Sequence, residues 1–394
     1  MSHTPSYIIA ARRTAIGRVG GLHRNRRVEA LAAPVVEAAL NDAGLQGDAV
    51  DEVIIGNATL GGNPARLIAL AAGIHDTASA STIDRQCGSG LDAILSAIRI
   101  IGSGEADVIV AGGAESPSTA PWRIAKPKSL YSVPHFIGVE PSSFEDAEEP
   151  QLFEASEALA GRFAISRGQQ DAYALRSHLN ARKAHDERRF VGEIVPLRAT
   201  PEEARDQSAI DPSLEELERL QPFMPPKGTL TPGNTSAMHD GAAIVVIVSQ
   251  AIYDKLGQPP ALRLVNSATQ GVPPGQEADA PIFAMNKLYQ RLNGFDRSAI
   301  KVVEIAETSS AQAIALGNEI GLSDDIVNPG GGEIVRGHPF GASGAVLIVR
   351  LFTTLCRTAA SAPGDSSSTS QSRYGIATQG AIGGLGLAAL FEAV

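Results

Sequence analysis

Two stretches of the chain, one in each half, share the same order of features. In the first, "CGSGLDAILSAIRI" (87–100) leads to "ADVIVAGGAES" (106–116), so a Ser-Gly pair is followed by an apolar helix and by a strand with two glycines. In the second, "GASGAVLIVRLFTTL" (341–355) leads to "RYGIATQGAIGG" (373–384), with a polar loop before the strand. This repeat predicts two similar α/β halves that face each other. A chance similarity is the alternative.

Strand-like and helix-like segments alternate along the chain, which is typical of an α/β protein with largely parallel sheets. The predicted strands are 7–11, 53–56, 108–111, 244–248, 262–268, 302–306 and 374–378, and the predicted helices are 28–42, 91–101, 169–186 and 345–357. Residues 115–240 are richer in proline and charge, so we interpret them as an insertion that covers the sheets. The polar stretch 361–373 predicts a loop.

The composition limits the classes of function. The chain has 394 residues, of which 43% are hydrophobic and 19% charged, and these values indicate a globular protein with more than one core. A net charge of −10 argues against nucleic acid or an anionic membrane as the main partner. The N-terminus lacks the apolar stretch of a signal peptide, and no apolar run reaches the length of a membrane span. Two cysteines give no disulfide framework, so we expect a cytoplasmic protein.

Cys87 in "DRQCGSGLDAI" (84–94) is the first candidate catalytic residue. It directly precedes a predicted helix, and the positive end of the helix dipole favours the thiolate. The flanking Gly88 and Gly90 allow a sharp turn that leaves the sulfur uncovered, as in the strand–nucleophile–helix elbows of hydrolases. A buried structural cysteine is the alternative. Cys356, in the apolar helix "RLFTTLCRT", has the opposite context and is expected in the core.

His338 in "GGGEIVRGHPFGASG" (330–344) is the second candidate, because a histidine followed by proline and surrounded by glycines is unusual for a protein core. An imidazole with a pKa near neutrality can activate a thiol and donate a hydrogen bond to an oxyanion. The sequence does not decide whether His239 belongs to the site or to the surface, because an aspartate and a glycine follow it. We expect the remaining histidines, including His23 and His178, at the surface or in loops.

Six motifs in the same order resemble the thiolase superfamily, that is, acetyl-CoA acetyltransferases and 3-ketoacyl-CoA thiolases, and they span the whole chain. They are "IIAARRTAIGRVGGL", "VDEVIIGN" with "NPARLIAL", "CGSGLDAI", "ADVIVAGGAES", "GTLTPGNTSAMHDGAA" and "GGEIVRGHPFGASG". The resemblance implies an α/β thiolase fold, with two duplicated α/β halves in a five-layered arrangement and an inserted loop domain. It places the N-terminal half at 1–114 with 241–260, the loop domain at 115–240 and the C-terminal half at 261–394.

The same resemblance implies the chemistry. The protein would be a homodimeric or homotetrameric acyltransferase of lipid metabolism that uses coenzyme A thioesters as substrates, with no metal or other cofactor. Cys87 would take the acyl group as a thioester, His338 would deprotonate it, and the Cys87 backbone N–H would contribute to an oxyanion hole. Ile382 in the C-terminal loop would offer a further backbone N–H. Asn266, near the pantetheine arm, and Gly341 are expected to contact the substrate.

The chain departs from the family pattern at three polar positions. Gly380 stands where thiolases carry a second catalytic cysteine, which moves the α-proton of the second acyl-CoA. Ala306 replaces an asparagine that holds an oxyanion-hole water, whereas Glu307 beside it is retained. The family's His-Met-Gly ahead of the loop-domain helix reads "QLF" (151–153). Acylation of Cys87 is therefore expected, but carbon–carbon bond formation or cleavage lacks its usual base.

Glu307 is the first candidate for the missing base and His338 is the second, while a structural carboxylate that holds loop backbone is the alternative for Glu307. The function that follows is acyl transfer from acyl-CoA through Cys87, for 3-ketoacyl-CoA cleavage or Claisen-type condensation with atypical acid–base chemistry. Two other functions stay open. The protein could be a non-catalytic or partner-dependent subunit that binds acyl-CoA, or an acyl-CoA hydrolase in which water resolves the acylated cysteine.

Overall fold

The computed structural model describes residues 4–127, 129, 131–137, 153–273, 275–357 and 373–394. The predicted loop at 361–373 lies outside these ranges apart from Arg373, as do the first two residues of "QLF" (151–153). The strands are β1 (Ser6–Arg13), β2 (Gly17–Arg18), β3 (Glu52–Gly56), β4 (Ser79–Ile83), β5 (Val108–Glu115), β6 (His239–Ser249), β7 (Leu262–Gly271), β8 (Ile300–Ile305), β9 (Arg373–Ala381) and β10 (Leu385–Ala393). The α-helices are α1 (Val28–Ala43), α2 (Pro64–Ala71), α3 (Ser89–Ser103), α4 (Glu154–Arg162), α5 (Arg167–Asp186), α6 (Leu214–Glu218), α7 (Gln250–Lys255), α8 (Ala280–Arg291), α9 (Ser310–Ile320), α10 (Glu333–Arg336) and α11 (Phe340–Phe352).

The strands of the two halves pair in the same order, which confirms the predicted duplication. The path of neighbouring strands runs β4-β3-β5-β6-β1 and continues β7-β10-β9-β8. In each half a parallel pair, β3–β5 or β8–β9, is followed by two antiparallel pairs, β5–β6–β1 or β9–β10–β7. The strand of "VAGGAES" and the strand that leads into the C-terminal glycines, β5 and β9, therefore occupy equivalent places.

The expectation of largely parallel sheets is wrong. Among the described strands, β3–β4, β3–β5 and β8–β9 are parallel, whereas the other neighbouring pairs run antiparallel. The C-terminal pair shows the physical reason, because the short turn 382–384 joins β9 to β10 and so short a connection must reverse the chain. Gly383 and Gly384 adopt positive φ angles of 87° and 71° in this turn.

The strands between the helices are apolar on both faces, and this pattern creates the layers. In β5, Ile109 belongs to a central hydrophobic cluster with α3 and α11, whereas Val110 belongs to an outer cluster with α1 and α2. In β9, Ala377 belongs to the same central cluster, and Ile376 belongs to a third cluster with α8 and α9. The order across the molecule is therefore helices, sheet, helices, sheet, helices, which is the expected five-layered arrangement.

The segment between β5 and β6 carries α4, α5 and α6 and contacts both halves. On the C-terminal side α5 packs against α9 and α10. On the N-terminal side Arg13 of β1 forms ion pairs of 2.6 Å with Glu193 and Asp206 of this segment. The chain returns to the N-terminal sheet with β6, which begins at His239, close to the predicted boundary after residue 240.

The central helix α11 continues through a π-helical turn, Thr353–Arg357. In the described residues the combined helix Phe340–Arg357 is the one that is long and apolar enough to cross a membrane, but 83% of it is buried inside the protein. Its apolar surface is therefore covered by the two sheets and by α3. Cys356 in the last turn is 4% exposed, and burial raises the pKa of its thiol to about 12, so this cysteine is a core residue, as predicted.

Backbone approaches backbone where the two central helices begin. The carbonyl oxygen of Gly341, the second residue of α11, lies where a Cβ on Gly113 of β5 or on Gly90 of α3 would stand. Gly341 also donates its N–H to the buried carboxylate of Glu115 at 2.9 Å. A side chain on either facing glycine would push the halves apart, since protein interiors are too dense to take an extra carbon without a shift.

Gly113→Ala should therefore destabilise the protein. The added methyl group would overlap the Gly341 carbonyl, and overpacking of a dense core lowers the free energy of unfolding by about 1–3 kcal/mol. Urea denaturation followed by circular dichroism measures the loss. Gly161→Ala in α4 is the matched control, because a Cβ there meets no atom within 4 Å and alanine is the better helix former. Equal stability of the two variants would contradict the packing argument.

Buried charged side chains connect the insertion to the two halves. Glu193 of the insertion accepts hydrogen bonds from Arg13 of β1 and from Arg350 of α11, each at 2.6 Å. Burial raises the pKa of Glu193, but these guanidinium groups outweigh burial and lower the pKa to about 2. Glu304 of β8 lies 3.9 Å from Arg350, and its oxygens have no hydrogen-bond partner among the described residues. Burial therefore raises the pKa of Glu304 to about 7, although Arg350 and Arg336 oppose the shift.

The raised pKa of Glu304 predicts a pH-dependent stability. This pKa is about 7 in the folded protein and about 4.3 in an unfolded chain, so the folded protein holds the proton more tightly. The resulting stabilisation is present below the unfolded value and is lost as the pH rises through the folded value. When the pH rises from 5 to 8, the wild type should therefore lose about 2 kcal/mol more of its free energy of unfolding than Glu304→Gln loses, as measured by urea denaturation at both pH values.

The control for this experiment is Glu319→Gln, which removes an exposed carboxylate of α9. Glu319→Gln should follow the wild type at both pH values. A Glu304→Gln variant with the same pH dependence as the wild type would show that Glu304 does not bind a proton on folding.

Candidate active site

The predicted elbow is present at Cys87. Strand β4 ends at Ile83, a tight turn follows, and α3 begins at Ser89, two residues after the cysteine. Gln86 adopts a φ of 50°, in the left-handed region that residues other than glycine rarely occupy. Its N–H donates to Asp84 at 2.9 Å, and its carbonyl accepts from the Ser89 hydroxyl at 2.6 Å. These bonds hold the turn so that the thiol stands at the N-terminus of α3.

The sulfur of Cys87 meets the imidazole of His338. The distance from Sγ to Nε2 is 3.2 Å, and the two residues are 6% and 5% exposed. His338 also lies two residues before its helix, α11, so the duplicated halves supply the thiol and the imidazole from equivalent positions. The backbone of His338 is held on both sides, because its N–H donates to Ala237 at 2.9 Å and its carbonyl accepts from the N–H of His239 at 3.1 Å.

A carboxylate lies behind the imidazole. Nδ1 of His338 is 2.8 Å from Oε2 of Glu333 and 2.7 Å from the hydroxyl oxygen of Ser343. Burial alone would lower the pKa of His338, but the Glu333 carboxylate and the Cys87 sulfur outweigh burial and raise this pKa well above its ordinary value. The imidazole can therefore take the proton of Cys87 and create a nucleophilic thiolate.

Strand β9 lies against the candidate nucleophile. The side-chain amide of Gln379 donates to the backbone carbonyl of Cys87 at 2.6 Å. Leu387 of the neighbouring strand β10 packs beside Gly88, which follows the cysteine. The C-terminal half therefore supports the elbow directly.

Gly380, the position of the missing cysteine, belongs to β9 and pairs with Gly386 of β10. A Cβ on Gly380 would lie 3.3 Å from Pro281 and 3.4 Å from the amide nitrogen of Gln312, so a small side chain there requires these neighbours to shift by a few tenths of an ångström. Ile382 lies in the turn that follows and is half-buried. Its backbone N–H stays a predicted oxyanion donor. The strand itself offers no proton-transfer group at Gly380.

Glu307, the first candidate for the missing base, is 1% exposed and is surrounded by hydrogen-bond donors. Its carboxylate accepts from Tyr173 at 3.0 Å, from Asn328 at 2.6 Å and from the N–H of Ile334 at 3.2 Å. The hydroxyl of Ser177 in α5 adds a bond of 3.1 Å. Burial raises the pKa of Glu307, and these bonds oppose the shift. The partners favour the structural interpretation, in which Glu307 holds the segment that leads to α10.

The two residues expected at the substrate lie in different surroundings. Asn266 of β7 is half-buried, and its side-chain oxygen accepts from the N–H of Ser267 at 2.8 Å. Within the described part of the chain it makes no hydrogen bond to Cys87 or His338. Gly341 is enclosed by the backbone of the N-terminal half, and its contact with the substrate stays a prediction.

The histidines differ in part from the expectation. His178 is 6% exposed and lies in α5, so its predicted position at the surface or in a loop is wrong, whereas His23 lies in a turn, as predicted, although it is only 1% exposed. Each ring finds a backbone carbonyl, Ala15 for His23 at 2.8 Å and Ile210 for His178 at 3.0 Å, which reduces the cost of burial. Among the described residues no group of three or more His, Cys, Asp or Glu side chains is arranged to hold a metal ion.

His239, which the sequence leaves open, supports the site. Its ring fills the space beside Gly337, and its ring nitrogens bond Ser208 at 2.6 Å and the Ala237 carbonyl at 2.7 Å. Sequence reasoning missed Glu333 and Gln379 although both stand in the quoted motifs. The available signal was that Glu333 lies in the motif of His338 and that Gln379 directly precedes Gly380. A sequence pattern does not show, however, which polar side chain points into the site.

Comparison with known proteins agrees with this geometry. The chain matches "Thiolase, N-terminal domain" over residues 6–251 and "Thiolase, C-terminal domain" over residues 258–393. It is 38% identical to the VraB protein of Staphylococcus epidermidis over 98% of this chain and 97% of that protein. It is 37% identical to the beta-ketoadipyl-CoA thiolase of Pseudomonas putida over 87% of this chain and 91% of that protein.

The fold has a solved counterpart as well. The crystal structure of the Bacillus anthracis acetyl-CoA acetyltransferase and this chain cover 100% of each other, with a TM-score of 0.88 and 32% sequence identity. The two matched thiolase domains together span nearly the whole chain, and these relatives carry the names of acyltransferases. The chain therefore belongs to the thiolase superfamily and is an acyltransferase enzyme.

Proposed function

We propose that this chain transfers acyl groups from coenzyme A thioesters through a covalent thioester on Cys87. Sγ of Cys87 attacks the thioester carbonyl while His338 holds the thiol proton, and the tetrahedral intermediate expels coenzyme A. The proton on Nε2 then passes to the departing sulfur. In condensation, a second acyl-CoA loses a proton from C2, and the carbanion takes the acyl group from Cys87. In cleavage, Sγ instead attacks the C3 carbonyl of a 3-ketoacyl-CoA, the C2–C3 bond breaks and the departing acyl-CoA takes up a proton at C2; the thiol of coenzyme A then takes the acyl group from Cys87.

The observation that carries this proposal is the 3.2 Å contact between Sγ of Cys87 and Nε2 of His338. The contact joins equivalent positions of the two halves, and it stands at the start of α3, where the helix dipole favours the thiolate. Coenzyme A thioesters as substrates are supported by the names of the relatives, which include a beta-ketoadipyl-CoA thiolase and an acetyl-CoA acetyltransferase.

The second step is proposed to use atypical acid–base chemistry. Gly380 provides no side chain for proton transfer, and Ala306 provides none to hold a water in the oxyanion hole. Glu307 is engaged by its hydrogen-bond donors, whereas His338 contacts the nucleophile. We therefore favour His338 as the group that moves both the thiol proton of Cys87 and the α-proton of the second acyl-CoA. A missing general base lowers a rate by about 10²–10⁴-fold, so ordinary thiolase turnover should be slow.

The first test is covalent acylation. After incubation with a panel of acyl-CoAs, intact-mass spectrometry should show a mass increase equal to one acyl group, and peptide mapping should place it on Cys87. Cys87→Ala should form no adduct, because the nucleophile is lost. His338→Ala should form it at least about 100-fold more slowly at neutral pH, because general-base help is lost.

Cys356→Ala is the matched control, since it removes the other thiol from the core and should leave acylation intact. Absence of an adduct with every acyl-CoA would contradict the proposal. Steady release of coenzyme A without a second acyl substrate would instead identify water as the acceptor, and the chain would then be an acyl-CoA hydrolase.

The second test restores the missing side chain. Gly380→Cys should fit with small shifts of Pro281 and Gln312, because its Cβ would contact them at 3.3 and 3.4 Å. If proton transfer at C2 limits the breaking of the carbon–carbon bond, cleavage of a 3-ketoacyl-CoA by coenzyme A should rise at least about ten-fold. Gly380→Ser, which has the same size without the thiol, is the control. Equal rates for Gly380→Cys and the wild type would show that this cysteine is not the limiting defect.

A further inference from the structure

Glu333 has a place in the site that the proposed acyl transfer does not yet use. It is the first residue of α10, it is 1% exposed, and its Oε2 lies 2.8 Å from Nδ1 of His338. Apart from this contact, neither of its oxygens has a hydrogen-bond partner among the described residues. A buried carboxylate needs a donor or a cation to offset the loss of water, and the imidazole is the group in position to provide both.

The other titratable or charged side chains around the His338 turn do not replace the imidazole as the partner of Glu333. Arg336 of α10 donates to the Gly331 carbonyl at 2.8 Å, and Glu304 is its strongest opposite charge. His239 of β6 bonds Ser208 and Ala237, and burial lowers its pKa, so this ring is neutral near pH 7. Glu115 of β5 accepts from Asn57 and Gly341, among other donors.

The contact also influences which ring nitrogen carries the proton. The negative charge of Glu333, 2.8 Å from Nδ1, attracts a proton to that nitrogen and repels a lone pair, so it favours the tautomer with Nδ1 protonated. The hydroxyl of Ser343, at 2.7 Å from the same nitrogen, can accept or donate and fits either tautomer. With Nδ1 protonated, Nε2 of the neutral ring has a free lone pair that faces Sγ of Cys87 at 3.2 Å. When the thiol proton moves to Nε2, the charge of Glu333 stabilises the imidazolium that forms.

We propose that Glu333 is a positioning residue that fixes the tautomer of His338 and holds the Cys87–His338 pair as thiolate and imidazolium before an acyl-CoA arrives. The step is a proton transfer from Sγ to Nε2, with no other bond formed or broken. The proposal rests on the proposed acylation of Cys87, since the thiolate is the attacking group. The raised pKa of His338 agrees with it, because Glu333 is the strongest of the groups that raise that pKa.

The test measures how fast iodoacetamide alkylates Cys87 between pH 5 and pH 10.5, with peptide mass spectrometry to separate Cys87 from the buried Cys356. The wild type should show a plateau of reactivity at neutral pH, because the ion pair supplies thiolate there. Glu333→Gln keeps the shape of the side chain but not its charge. Its plateau should fall at least about ten-fold, the effect of one pKa unit, whereas the rate at pH 10.5, where the thiol ionises without help, should approach that of the wild type.

Two further variants make the result specific. Glu333→Asp keeps a carboxylate and should restore part of the plateau, and His338→Ala should abolish the plateau altogether. An unchanged profile for Glu333→Gln would show that Glu333 is not coupled to the thiol. An equal loss at every pH would show that it only maintains the structure. Either result overturns the proposal.

Iodoacetamide needs no acyl-CoA, so this experiment is independent of the acylation test. If no acyl-CoA acylates Cys87 while the alkylation plateau depends on Glu333, the proposed function fails and the ion pair stands. If acylation occurs and the plateau ignores Glu333, the proposed function stands and the positioning role fails.

Discussion

The site depends on the close contact of Gly341 in α11 with Gly90 in α3 and Gly113 in β5. The helices α3 and α11 each begin two residues after a reactive side chain, so the distance between them sets the distance from thiol to imidazole. Since backbone atoms meet at this contact, no flexible side chain can widen or narrow it. The Cys87–His338 pair is therefore placed chiefly by the packing of the core, and the bond from His338 to Ala237 holds the backbone of the histidine.

Two buried carboxylates near His338 have different roles because their donors differ. Glu307 accepts from Tyr173, Ser177, Asn328 and Ile334, so its oxygens are satisfied by donors of the insertion and of the segment around α10. Glu333 lacks such donors and contacts the imidazole. The first carboxylate fixes the backbone, and the second influences the ring. The role of a buried carboxylate in this site therefore depends on its hydrogen-bond donors, and its position in the sequence does not reveal that role.

The duplication and the candidate residues Cys87 and His338 could be predicted from the sequence, because they leave local signals: apolar strands, glycine-rich turns and a helix after each candidate residue. The five layers followed only from the resemblance to a known family. The sequence was not sufficient for the sheet directions, since the pairing of β6 depends on a chain that returns after a long insertion. Gln379 and Glu333 also escaped prediction. Both act through contacts with residues distant in the chain or around a turn, and no spacing rule shows that a polar side chain points inward.

The strand position of Gly380 has an evolutionary consequence. Regular pairing with Gly386 holds the backbone at this point, and the neighbouring Pro281 and Gln312 need to shift by only a few tenths of an ångström to admit a small group. A side chain could be gained or lost there without remodelling the framework. Under the proposed function, a single codon change at Gly380 would therefore exchange one reaction for another, while Cys87 and His338 keep their places.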